Sequence, residues 1–148
     1  MPDSRSGNWL AIDYGENLVG IAVAHPLTGS ARPVEPIRNA SPAGLEQLLC
    51  KLLQEWQPVR IIVGLPLAAS GEDTPMSLKI KKFAGRLAEL APQAEIVLHD
   101  ERMSSEAAAR EFADRRKQGR ARRRDAARLD SMAAALILES WMTEHGIV

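Results

Sequence analysis

The stretch that most restricts how this chain can fold is Trp9–Ala24, WLAIDYGENLVGIAVA. Its two apolar runs, Trp9–Tyr14 and Leu18–Ala24, mix β-branched with small residues, and Gly15-Glu16-Asn17 between them carries turn chemistry. That spacing predicts a β-hairpin. Asp13 breaks the pattern. It stands near the end of a strand that should be central and buried, where Asp is depleted and an unpaired charge is costly. Two arrangements would meet the cost: a turn in which Asp13 bonds the amides of Gly15 or Glu16, or a cation facing the carboxylate. The hairpin alone does not choose between them.

The rest of the chain supplies the sheet. Val34–Arg38 reads as a third strand that Pro33 and Pro36 confine to an edge. Ser41-Pro42 opens a helix whose Leu45, Leu48, Leu49, Leu52, Leu53 and Trp56 form one apolar stripe. Val59–Gly64 is a β-branched run of the kind covered on both faces. Thr74-Pro75 starts a second helix, with Met76, Ile80, Phe83, Ala84, Leu87 and Leu90 inward and Pro92 as its stop. Glu95–His99 is a fifth strand, Ser104 or Ser105 begins a helix to Phe112, and a last helix near Ala126–Glu144 is apolar almost all round. This order predicts an α/β fold with a five-stranded mixed sheet, strand order 3-2-1-4-5, and helices on both faces. At 148 residues, 45% of them hydrophobic, the chain can bury one core of its own. Residues 1–8 are expected to be a flexible tail and 9–148 a single domain. The lone Cys50 rules out an internal disulfide, and no apolar run is long enough for a membrane span. A cytoplasmic protein is the expectation.

Further acids stand where packing alone would not put them: Asp100 and Glu101 after the fifth strand, and Asp130 inside the apolar last helix. Asp130 taken singly fits an ion pair with Arg124 or Arg128, or a charge near a helix N-terminus. Taken together, acids at a strand interior, a strand exit and a buried helix can converge, since neighbouring strands lie only ~4.8 Å apart. Carboxylates so gathered repel unless a cation lies among them. Mg²⁺ or Mn²⁺ suits Asp13, Asp100, Glu101 and Asp130, keeping open positions for a phosphate. Zinc does not suit the chain, because its three histidines are scattered and no Cys pair exists. Gly15, Gly64 and Gly71 are candidate points of close backbone approach, though glycine also simply ends strands.

The complementary charge is local. Arg115, Arg116, Lys117, Arg120, Arg122, Arg123 and Arg124 crowd around Gly119 in a chain that is neutral overall, so the remainder is net acidic by seven. Such a run can serve solubility alone, but a basic patch on an acidic body favours a phosphate backbone. No aromatics interleave it, so base stacking is not indicated.

The segments AIDYGENLVGIAVA, IIVGLPLAASGE, HDERMSSEAA and LDSMAAALIL, in this order over nearly the whole chain, resemble the YqgF (RuvX) family of Holliday-junction-resolvase-like nucleases. The resemblance implies an RNase H-like fold and catalytic acids at Asp13, in Asp100-Glu101-Arg102 and at Asp130. Resolvase relatives carry an acid at the exit of strand four. Here that place reads Gly64-Leu65, which moves the second carboxylate to strand five, at Glu101 if the loop folds back over strand four. The residues do not decide between Asp100 and Glu101. Ser104-Ser105 replaces the family's usual two threonines. The resemblance further implies trimming of the 5′ end of 16S ribosomal RNA precursor or cutting of branched DNA by a monomer or weak homodimer, with Arg102 and the basic run gripping the strand. Two other classes compete. A sugar-kinase or actin-like ATPase shares an Asp-Gly hairpin but needs a second jaw. A non-catalytic RNA-binding assembly factor would use the basic run and leave the acids structural.

Overall fold

The computed structural model describes residues 7–25, 27, 30–101 and 129–146. Its elements are β1 (Trp9–Asp13), β2 (Leu18–Ala24), β3 (Ala31–Arg38), α1 (Pro42–Trp56), β4 (Arg60–Leu65), α2 (Pro75–Leu90), β5 (Glu95–Asp100) and α3 (Leu129–Glu144). The five strands form one sheet in the order β3-β2-β1-β4-β5. β1 and β2 form the antiparallel hairpin, while β4 joins β1, and β5 joins β4, in parallel. The expected mixed sheet is therefore present. The helix expected from Ser104 or Ser105 to Phe112 falls outside the described residues.

Strand alternation sorts the side chains into two cores. Leu10, Ile12, Val19, Ile21, Ile61, Val63 and Leu65 pack against α1 and α2. Trp9, Ala11, Ala22, Ala24 and Ile62 face α3. The alanines on that second face let α3 lie close to the sheet, and α3 is buried along most of its length, as its lack of a polar stripe requires. Its second half is fastened at the far end of the sheet. Trp141 meets Trp9 edge-on at 5.2 Å, and the Arg60 guanidinium lies about 5 Å from both rings. Buried His99 on β5 places Nε2 3.2 Å from Ser140 Oγ, and burial pushes its pKa down towards the neutral ring.

Both expected helix starts are capped by the hydroxyls named from sequence. Ser41 Oγ accepts the Gly44 amide, and Thr74 and Ser77 form a reciprocal capping box. Several boundaries differ, β1 ending at Asp13 and β4 running over Arg60–Leu65 among them. β3 begins at Ala31 because an edge strand tolerates Pro33 and Pro36 on its open side. β5 runs one residue further than expected, so Asp100 is its last residue and pairs with Leu65. Asn8, assigned to the tail from sequence, bonds the Trp56 carbonyl through Nδ2 and accepts the Val59 amide. Among the described residues, no helix is long and apolar enough to cross a membrane.

Candidate active site

Alternation along three adjacent strands decides which acids can meet. On β1, Trp9 and Ala11 face α3, so Asp13 does too. On β4, Ile62 faces α3, and so does Gly64. On β5, Val97 packs on the α3 side, which assigns the same side to His99. Asp100 is paired with Leu65, which belongs to the opposite core. Directly paired residues share a face, so Asp100 starts on the side of α1 and α2. Glu101, one residue on, turns back to the α3 side. The register Ile12↔Val63, continued by one step, sets Asp13 level with Gly64. Of the two acids, it is the Glu101 carboxylate that stands over Gly64, on the face of Asp13.

Glu101 must cross β4 to approach β1, and Gly64 is where it does so. A Cβ built on Gly64 would stand 2.8 Å from Glu101 Oε1 and 2.5 Å from Ile137 Cδ1. The missing side chain leaves the room in which a carboxylate from β5 and an isoleucine from α3 overlie the central strand. The Glu101 side chain itself reaches over β4. Gly64 is required by this internal contact, whatever else approaches it.

The crowding has an electrostatic consequence. Burial against Ile137 and the sheet, then the charges of Asp13 and Asp100, push the Glu101 carboxyl up to about 7. In the metal-free protein we expect the Glu101 side-chain carboxyl, followed by ¹³C NMR, to titrate with a midpoint of about 7. The folded state then holds a proton that the unfolded chain releases near 4.5. Stability from this group is complete below that lower value and is lost as pH rises through about 7. Melting in chelator should therefore fall between pH 4.5 and about 7 more steeply for the wild type than for Glu101→Gln, the window the linkage defines. An ordinary carboxylate midpoint would show that the acids are not crowded.

The hairpin turn beyond Asp13 is held by a residue that the sequence did not mark. Asn39, just past β3, gives its amide to the Asn17 carbonyl at 2.8 Å and its Nδ2 to the Gly15 carbonyl at 2.9 Å. A lone Asn after an edge strand carries no signal of its own; only the pairing of β2 with β3 brings it beside the turn. Gly15 is needed inside that turn, since a Cβ there would run into the Leu18 carbonyl. Gly71 adopts φ 91° in the loop between β4 and α2. Cys50 is exposed on α1 and remote in role from these acids.

Asp130 lies in the first turn of α3, with its side chain outside the described residues. Arg102 and the basic run from Arg115 to Arg124 are also outside them. Among the described residues, no three acidic, histidine or cysteine side chains enclose one point closely enough to hold a metal ion. The described part of the cluster is therefore Asp13 and Glu101, with Asp100 contributing charge from the strand end.

The fold is RNase H-like, of the kind seen in solved Holliday junction resolvases. The fold matches that of T. thermophilus RuvC in complex with Holliday junction substrate, with a TM-score of 0.61 at 17% identity over 96% of this chain and 98% of that one. It also matches the fowlpox virus Holliday junction resolvase, with a TM-score of 0.56 at 15% identity over 93% and 99%. Closer in sequence are proteins of Escherichia coli O157:H7 and Shigella boydii serotype 18, each named "Putative pre-16S rRNA nuclease". Both are 39% identical over 140 residues, covering 94% of this chain and 98% of theirs. The family model described as "RuvX: Holliday junction resolvase" matches residues 7–144. The chain belongs to the RuvX family.

Proposed function

We propose that this chain is a divalent-metal-dependent nuclease that processes the 5′ end of the 16S ribosomal RNA precursor in the cytoplasm. The observation that carries the reading is the delivery of Glu101 across Gly64 to the face of Asp13. A fold that buries a glutamate beside another acid raises its pKa by doing so. That arrangement favours a cation at the same place.

The donor set fits Mg²⁺ or Mn²⁺: hard carboxylate oxygens, few in number. Asp13, Glu101 and Asp130 would hold the ion, with Asp100 adding negative charge. A bound ion of this kind supplies an acidified water and neutralises charge on a phosphoryl oxygen. The chain's own part is separate. The Glu101 carboxyl, raised while the acids stand together alone, would give up its proton as it becomes a ligand. Arg102 and the Arg115–Arg124 run bind the phosphate backbone, which positions the strand without reading its bases.

The test offers the chain two substrates: RNA bearing the 5′ extension of 16S precursor, and a four-way DNA junction, each with Mg²⁺, Mn²⁺ or chelator. Shortening of the RNA by a monomer, only when metal is present, is expected. Paired cuts in the junction by a dimer would make it a resolvase instead. Tight, salt-sensitive binding of the RNA with no cut under any condition would make it an assembly factor. The names borne by the 39% identical relatives favour the RNA.

A further inference from the structure

Two serines interrupt the apolar surface of α3, and both are buried: Ser131 is 0% exposed and Ser140 5%. Ser140 meets His99 at the far end of the helix. Ser131 does something different. Its Oγ accepts the backbone amide of Ile21 at 3.0 Å, reaching from the first turn of α3 to the middle of the sheet.

The place of that bond is informative. Ile21 follows Gly20, the residue paired with Asp13 across the hairpin. Ile21 also stands where the pairing of β2 with β3 shifts register. The hydroxyl therefore ties α3 to the strand position flanking the first acid. Asp130 is the residue immediately before Ser131, with its Cα only ~3.8 Å away along the chain. Apolar burial is non-directional, and the contacts that fasten the far end of α3 lie more than two turns from its start. A hydrogen bond is directional and fixes rotation and slide there.

We propose that Ser131 is a positioning residue: through the Ile21 amide it fixes the start of α3 and so sets Asp130 against Asp13. The inference rests on the reading of these acids as a cation-holding nuclease centre. A purely structural serine would also satisfy a buried amide, but its loss would lower stability without altering metal affinity. Ser140 provides that comparison on the same helix, being equally buried and bonded but distant from Asp130 in sequence.

The experiment measures Mn²⁺ binding to the full chain by calorimetry, and amide exchange at Ile21, for wild type, Ser131→Ala, Ser131→Thr and Ser140→Ala. Ser131→Ala should quicken exchange at Ile21 and weaken Mn²⁺ binding about tenfold or more, the usual cost of removing a residue that orients a metal ligand. Ser131→Thr, which keeps the hydroxyl, should restore both. Ser140→Ala should lower the melting temperature while leaving Mn²⁺ affinity within about twofold of wild type, since it orients no ligand. Should Ser131→Ala fail to fold, Ser131→Cys keeps the size with a weaker acceptor and should give an intermediate affinity. Unchanged Mn²⁺ affinity in a folded Ser131→Ala or Ser131→Cys, or an equal loss in Ser140→Ala, overturns the inference alone. Absence of Mn²⁺ binding by the wild type overturns the reading of the centre, and this inference with it.

Discussion

Asp13→Asn should reduce metal-dependent cleavage by about a thousandfold or more, because even one electrostatic group in a preorganised site is worth about 10²–10³ in rate. The same change should also shift the titration of Glu101 in the metal-free protein. Asp13 is one of the two charges that raise the Glu101 carboxyl, after burial. Removing it should bring the Glu101 midpoint down from about 7 while burial keeps it above the ordinary 4.5. Strand β1 is paired on both sides through its backbone, so the amide side chain need not disturb the sheet. A rate assay, a melting curve in chelator and the Glu101 titration together test the claim. Cleavage at the wild-type rate would remove Asp13 from the chemistry.

Gly64→Ala carries the second large effect. Its new Cβ would fall 2.5 Å from Ile137 Cδ1 and 2.8 Å from Glu101 Oε1, distances at which something must move. Overpacking of a core costs about 1–3 kcal/mol, which for a domain of this size is a fall of roughly 2–12 °C in melting temperature. Cleavage should drop at least about tenfold, because a small displacement of a reacting group is costly. The two penalties can be separated. Gly64→Ala with Ile137→Val removes the Cδ1 that clashes but leaves the contact with Glu101. The double variant should regain most of the stability and little of the activity. Recovery of both together would mean that Glu101 yields freely and that its place above Gly64 is unimportant.

Much of the architecture was legible in the chain because it is written in local signals. The alternation around Gly15-Glu16-Asn17, the β-branched run ending at Gly64, and the Ser41-Pro42 and Thr74-Pro75 starts each report on neighbours a few residues away. Asp13 was legible for the opposite reason, as a charge that contradicts its surroundings. The contest between Asp100 and Glu101 was not, since it depends on how far β5 continues. Asp100 pairs with Leu65 on the opposite face, and Glu101 beyond it reaches over Gly64. Gly64 was readable as permissive but not for what; its occupants come from β5 and α3, far along the chain. Asn39 and Ser131 were invisible because ordinary polar residues acquire their roles only from the backbone groups that the fold sets opposite them.

The placement of α3 bears on when during synthesis such a molecule becomes active. All five strands leave the ribosome before Leu129–Glu144 does, yet that helix supplies most of one core and carries Asp130. A nascent chain that has produced its sheet still lacks both the cover for one face and an acid assigned to the centre. The second core would then close only after nearly the whole domain has been made and docked.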